Sequence, residues 1–533
     1  MKTFYINGKI YTMNNHEIIE AMIVDRGIIQ SVGTTEEVMQ YANKQSNVID
    51  LQGQVVIPGL NDSHLHVLQT AVSMDYIDLS DANSVEDIIE IGKKALETHN
   101  PDKWLLGKNW NQTTFPVPEI FTKDDLDKIS TEIPIAFTRV CIHTTVLNSK
   151  AIELLNKRYN ILDITHPDYK DFRLGILHET NQNMFRDFIT PSDKEELKPL
   201  MLKMNHEFAS KGITSVISDD FSCYMSLDYN HVIDAYRDLY SQNQLTYKVC
   251  QKCALFNIDN LNKFLDQGYN TKQDFGNYRI GPLKLYMDGS LGSRTAFIKG
   301  GYADAKTDGI ANYTYEELLE LVTKADANGM QIAIHGIGDG ATSLILQAYE
   351  TLDNSQYINR QRHGVIHAQV TTPDLVDSII NNNVLVYAQP IFVASDQHIL
   401  ADRIGKEKED SSYVFKTMID RGGKVAFSSD APVERLNPFY DIYCAVTRKD
   451  PYNLDLPAYK PDQCIDIYTV IKAYTEMGAY FSFEENKKGT LQSGKVADFI
   501  IIDRDIFEID SELIRDTKVL QTYVDGNLVY SLG

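Results

Sequence analysis

Two histidines one residue apart, His64 and His66 in "VVIPGLNDSHLHVLQ", end an apolar run that reads as a buried strand. Side chains at i and i+2 leave the same face of a strand, so both imidazoles point one way. Further along, polar residues stand where other short apolar runs finish: Asp219 in "GITSVISD", Lys284 in "PLKLYMDGS", His335 in "QIAIHG", His367 in "GVIHAQ" and Asp430 in "KVAFSSD". Neutral imidazoles with carboxylate-type oxygens form the ligand set expected for zinc or a similar divalent ion held with a coordination position open. A single strand-end histidine is usually satisfied by a carbonyl. Four of them, with an H-x-H pair and an aspartate on the last strand, point to metal. An ammonium beside a metal ion is repelled, so Lys284 has to lose its charge, and carboxylation by carbon dioxide turns it into a bridging oxygen ligand. The weakest member is Asp219, since "SDDF" can also be a cap or a turn.

These groups are hundreds of residues apart, so the fold has to gather them. Short apolar strand candidates alternate with longer helical patterns, which predicts βα units around a parallel sheet. Eight candidates can be placed: residues 55–64, 212–219, "LTYKVCQK", 282–290, 331–336, 364–369, "VLVYAQP" and 424–430. Eight such units make an α/β chain with a closed (β/α)8 TIM barrel, whose site lies at the C-terminal ends of the strands. The first and second candidates are separated by far more chain than a crossover needs. An ordered insertion over about residues 75–205, containing Trp104 and Trp110, is expected there. "FYINGKIYTM" and "TYVDGNLVYS" at the two ends each read as strand, Asn-Gly or Asp-Gly turn, strand. They predict a small β-sandwich domain made from residues 1–56 and 486–533, with the barrel over 57–485.

Composition limits the partners. Asp and Glu number 74 against 51 Lys and Arg, a formal charge of -23 that repels phosphate backbones and anionic lipid surfaces. Neither nucleic acid nor membrane is expected, and no long apolar run or secretion signal is seen. A cytoplasmic protein acting on a small-molecule substrate fits, and a homodimer is compatible with it. Six cysteines are too sparse for a disulfide framework. In "CQKC" (250–253) the two cysteines face opposite ways along a strand, so a structural role is expected.

The segments "PGLNDSHLH", "LKLYMDGSLGSRTA", "IHGIGDGA", "RHGVIHAQ", "AFSSDAPV" and "GTLQSGKVAD" resemble, in order and spacing, the amidohydrolase superfamily and its N-substituted formamide deformylase-like branch. The resemblance covers nearly the whole chain. It implies one or two divalent metal ions, most often zinc. His64 and His66 would then bind the buried ion, carboxylated Lys284 would bridge, His335 and His367 would bind the second ion, and Asp430 would be the catalytic acid/base. Ile366 stands where members often have Glu, and Asn109 where a glycine is common; both bear on substrate class.

The chemistry that follows is hydrolysis of an amide or related C–N bond: metals activate a water and polarise a carbonyl, and a carboxylate moves the proton to the departing amine. Trp110, Arg139, His143, Arg294 and Gln389 are candidate substrate contacts, with the insertion expected to cover the mouth of the barrel. Asp430, before Ala-Pro, also has the form of a helix N-cap. A second reading comes from "QIAIHGIGDGAT", which matches the strand, G-x-G-x-x-A, helix pattern of a nicotinamide-dependent oxidoreductase. That motif should open a doubly wound domain, whereas here it falls on the fifth strand of a series. A third is a barrel scaffold without catalysis, which should lack ligands.

Overall fold

A computed structural model of the chain describes residues 2–112, 115–116, 120–139, 144–191, 193–223, 227–271, 273–352 and 361–533. The eight expected strands form one parallel sheet: β1 (Leu60–Leu65), β2 (Ile213–Ser218), β3 (Lys248–Ala254), β4 (Tyr278–Tyr286), β5 (Ile332–Gly336), β6 (Gly364–His367), β7 (Leu385–Ala388) and β8 (Val425–Phe427). Neighbours in sequence are neighbours in the sheet. The ring is brought round by bonds just past the strand ends, where Asp430 N donates to His64 O at 2.8 Å and His66 N to Ala431 O at 2.9 Å. This is the (β/α)8 barrel of an α/β protein.

Inward-facing side chains fill the barrel, among them Ile217, Cys250, Ile366 and Tyr387. Phe481, from the helix Glu476–Phe481, joins this cluster and is fully buried. A side chain of that size contributes roughly 1.5–3 kcal/mol by leaving water. The two cysteines of the C-x-x-C segment part as strand geometry requires. Cys250 faces the interior, while the Cys253 thiol lies on Gln251 O at 3.4 Å, and both are free.

The two ends of the chain share a β-sandwich. A four-stranded sheet holds Thr3–Ile6, Ala21–Asp25, Ile28–Gly33 and Asn47–Asp50; a six-stranded sheet joins Lys9–Tyr11, Ile18–Ile19 and Val55–Pro58 to Phe499–Ile502, Val519–Val524 and Asn527–Ser531. Tyr5, Met22 and Val24 of the first pack with Val56, Phe499 and Tyr523 of the second in one core.

Two local expectations are corrected. The C-terminal "TYVDGNLVYS" is a hairpin, with Asp525 and Gly526 both at positive φ (48° and 70°) as a type I′ turn demands. The N-terminal "FYINGKIYTM" is not. Of its Asn-Gly pair only Asn7 turns to positive φ (56°), and its two strands enter different sheets. Leu51 leaves no room for a side chain at Gly8, since a Cβ there would sit 2.5 Å from Leu51 Cδ1. Likewise residues 55–64 are two strands, with Val55–Pro58 in the sandwich and Leu60–Leu65 in the barrel. The switch falls on Pro58-Gly59, where proline lacks a donor and a Cβ on Gly59 would meet Thr214 at 2.3 Å.

Lys248, at the start of β3, is buried against Asp498 at 2.6 Å and Asp525 at 2.9 Å. Burial pulls the ammonium pKa down, but the two carboxylates more than offset it and the pKa is raised. Removing one partner of a buried pair leaves a charge uncompensated, typically at about 3–5 kcal/mol. Asp498→Ala is therefore expected to lower unfolding free energy toward that range in urea titration, with Asp525 limiting the loss. No change in midpoint would show the pair to be idle.

The chain divides into two compact units, the first comprising Met1–Val67, Met201–Ser222 and Val232–Gly533, the second Leu68–Leu200 and Cys223–His231. The second has its own five-stranded sheet, in the order Ile176–His178, Thr144–Leu147, Ile135–Arg139, Leu105–Trp110, Ile77–Asp78, and its own apolar core. Among the described residues no helix is long and apolar enough to cross a membrane.

Candidate metal centre

Four imidazoles meet at the C-terminal end of the barrel, and hydrogen-bond partners settle the tautomer of three of them. His66 Nδ1 lies 3.0 Å from Asp219 O, His335 Nε2 lies 3.1 Å from Gly289 O, and His367 Nδ1 lies 2.8 Å from Gln389 Oε1. A carbonyl oxygen only accepts, so each of those nitrogens carries the hydrogen and the other ring nitrogen is left bare. The Gln389 orientation is itself dictated, because its Nε2 donates to Tyr387 O at 3.1 Å and to Ser428 Oγ at 2.8 Å.

The bare nitrogens then face acceptors. His335 Nδ1 and His367 Nε2 stand 3.0 Å apart, and His66 Nε2 stands 3.3 Å from Asp430 Oδ1. His64 Nε2 is 3.5 Å from the same Asp430 oxygen, which is buried and has no hydrogen-bond partner. Lone pairs directed at one another require a positive charge between them, a proton or a cation. With metal–nitrogen bonds of about 2.0–2.1 Å, a nitrogen pair at that separation can share one ion. The ligand atoms of His64, His367 and Asp430 all lie within 4.8 Å of one another. The residues present fit a divalent ion.

Electrostatics favour the ligating form. Burial first, then the charge of Lys284, lowers the His335 pKa to about 3, and burial drives His64 and His367 well below their usual value. All three are neutral at physiological pH, as a ligand must be. His66 is the exception: burial lowers its pKa, but Asp430 and Asp219 overcome this and raise it. Lys284 is fully buried, its Nζ is 3.5 Å from His64 Nε2 and 4.4 Å from the centre of the Tyr286 ring, and burial lowers its pKa to about 8. An amine brought that low presents an appreciable uncharged fraction, the form that reacts with carbon dioxide.

The frame around these groups is rigid. Asp62 accepts from Ser429 Oγ at 2.6 Å, from Ser429 N at 3.1 Å and from His64 N at 3.2 Å, tying β1 to the end of β8. His367 and Asp430 both hold positive φ (77° and 55°), a conformation that costs a non-glycine residue about 1–3 kcal/mol and collects at functional sites. Asp430 caps no helix, since the following helix Pro438–Thr447 is capped by Asn437. Asp219 Oδ2 accepts from the Tyr286 hydroxyl at 2.6 Å.

The substrate-contact candidates are not gathered in the same way. Gln389 spends its amide on His367, Tyr387 and Ser428, which makes it an orienting group for the His367 ring. The Arg294 guanidinium, partly exposed, pairs with Asp304 at 2.7 Å. In the second unit, Trp110 is buried in the core, its Nε1 donating to Phe137 O at 2.9 Å, and Arg139 donates to Gln112 Oε1 at 2.7 Å and Asn111 Oδ1 at 3.0 Å. His143 lies outside the described residues.

Two residues here escape sequence reasoning. Asp288 accepts from Ile337 N at 3.0 Å, Gly338 N at 2.8 Å and Phe297 N at 2.9 Å. The amides of the dinucleotide-like loop are thus taken by the protein's own carboxylate, and its glycines serve packing: a Cβ on Gly338 would lie 2.0 Å from Phe297 O. The other is Lys252, fully buried, with Nζ 3.0 Å from His64 Nδ1. Its only signal is parity, because it shares the inward face of β3 with Cys250.

Comparison with known proteins agrees with this geometry. The model of the Amidohydrolase family matches residues 47–530. The protein YtcJ of Bacillus subtilis strain 168 is 30% identical, with 99% of each chain covered. N-substituted formamide deformylase of Arthrobacter pascens is 24% identical over 98% of this chain and 97% of its own. Among solved structures, an uncharacterized metal-dependent hydrolase from Pyrococcus furiosus superposes with a TM-score of 0.80 at 26% identity, covering 95% of this chain and all of that one. Eight parallel strands, a His/Asp site at their C-terminal ends and these matches along nearly the whole sequence make the chain a member of the amidohydrolase family.

Proposed function

We propose that the chain hydrolyses a C–N bond of amide type, N-formyl or N-acyl, in a small molecule. The observation that supports this most directly is the set of bare imidazole nitrogens of His66, His335 and His367 at the C-terminal end of the barrel, with that of His66 beside the partnerless Oδ1 of Asp430. His64, His66, His335 and His367, with Lys284 after carboxylation, are the residues that would hold one or two divalent ions, with zinc the expected metal. An ion so held supplies Lewis-acid polarisation of a carbonyl and a water of lowered pKa. The chain's own part in the proton transfer belongs to Asp430. Its Oδ1, free of other bonds, takes the proton of the attacking water and returns it to the departing nitrogen.

The name of the Arthrobacter relative makes N-substituted formamides the first class to try. Purified, zinc-loaded protein should be assayed for amine release against formamides, N-acyl amines, carbamates and cyclic amides. At least one class is expected to turn over about 10²-fold faster than with chelator-treated protein, and zinc should restore the loss. Equal rates with and without metal on every substrate cleaved would sink the reading. The free thiols at Cys250, Cys253, Cys444 and Cys464 support a reducing, cytoplasmic setting.

A further inference from the structure

We propose that Ser429 is a positioning residue for Asp430, its hydroxyl holding the turn that aims the carboxylate into the site, with Asp62 as the anchor of that hydroxyl. The inference rests on the reading of Asp430 as the proton shuttle. Asp430 stands in the left-handed region (φ 55°), where a non-glycine residue stays only if its surroundings hold it there. The peptide before it is fixed by Asp430 N donating to His64 O at 2.8 Å, and the carbonyl of Ala431 is fixed by His66 N at 2.9 Å. Between these lies the peptide that joins Asp430 to Ala431. Its N–H donates to Ser429 Oγ at 3.2 Å, and its carbonyl accepts from Val433 N at 2.9 Å. The Ser429 side chain thus spans Asp430 from one neighbour to the other.

The direction of each bond in this strap follows from the atoms. Ser429 has one hydroxyl hydrogen, which goes to Asp62 Oδ2 at 2.6 Å and leaves a lone pair for the Ala431 amide. Ser429 N donates to the same Asp62 oxygen at 3.1 Å, and Asp62 Oδ1 accepts from His64 N at 3.2 Å. One carboxylate on β1 therefore anchors the turn that carries Asp430. Asp62, Ser429 and Ala431 are all buried, so water does not take over a bond that is lost. Without the hydroxyl, an unpaired amide and the left-handed strain both favour rotation at Asp430, and rotation swings its carboxylate.

The competing explanation is that Asp62 and Ser429 merely staple β1 to the end of β8. Losing a staple lowers stability and leaves Asp430 where it is. Crystal structures of wild type and Ser429→Ala, both grown with zinc, separate the two, with urea midpoints measured alongside. In Ser429→Ala, Asp430 is expected to leave the left-handed region or to carry Oδ1 about 1 Å or more from its place, a displacement able to slow turnover by about 10²-fold. An unmoved Asp430 overturns the proposal whatever the urea midpoint does. Turnover gives the second reading, on whichever N-substituted formamide or N-acyl amine the wild type cleaves. Ser429→Ala is expected to lower kcat by about 10–100-fold with KM and zinc content near wild type, and to add nothing in the Asp430→Asn background. Full kcat in Ser429→Ala where Asp430→Asn loses it, or an equal loss in both backgrounds, also overturns the proposal. If Asp430→Asn itself keeps wild-type turnover, the shuttle reading falls and this inference falls with it. Ser429→Gly, which removes the same hydroxyl, replaces Ser429→Ala should the latter not fold, with the same expected and overturning results.

Discussion

Asp430→Asn should give a folded, metal-loaded protein whose kcat falls by about 10²-fold or more, the usual contribution of general acid–base catalysis. Asparagine has the shape of aspartate and is among the few residues that tolerate the left-handed backbone found here (φ 55°). The backbone bond from Asp430 N to His64 O does not depend on the side chain. The fold should therefore survive. What disappears is a carboxylate oxygen that is buried, has no hydrogen-bond partner, and stands 3.3 Å from His66 Nε2 and 3.5 Å from His64 Nε2. An amide cannot take up a proton and release it. Kinetics on a confirmed substrate, with elemental analysis and circular dichroism on the same samples, separate this loss from lost metal or lost fold. Near-normal turnover in a metal-loaded variant would falsify the assignment of Asp430 as proton shuttle.

The second large effect is expected from His64→Ala combined with His66→Ala. Metal content should fall from at least one equivalent to a small fraction, and turnover should fall with it. Both rings come from one strand, the outer nitrogen of His66 lying on Asp219 O and that of His64 against Lys252 Nζ. His335 and His367 cannot turn to replace them, since they are held by Gly289 and Gln389. The fold should persist, because β1 is bonded along its length to β2 and its far end is tied to β8 by Asp62 and Ser429. Elemental analysis of chelator-free protein is the decisive measurement. A double variant that keeps its full metal complement would mean that the opening histidine pair is structural.

Which parts of this molecule are legible in one dimension follows from how local each signal is. The eight strands could be placed because alternating apolar runs and helical patterns are local, and strand-end histidines could be paired with one site because a barrel leaves few other places for them. His64 and His66 needed only the two-residue period of a strand. The N-terminal Asn7-Gly8 looks like Asp525-Gly526, yet only the latter closes a hairpin, because the strands before and after Gly8 find partners in two different sheets. Pro58-Gly59 marks a change of sheet that no local pattern distinguishes from a bent strand. Asp288 and Lys252 are further still from prediction, since Asp288 reaches the amide of Ile337 across 49 residues and Lys252 meets the His64 ring across 188. The residue types capable of the chemistry, and the face each would present, were written in the order of the amino acids. Tautomers, bare nitrogens and the amine behind His64 were decided by the folded chain, because a hydrogen bond depends on the atom opposite, and only packing chooses that atom.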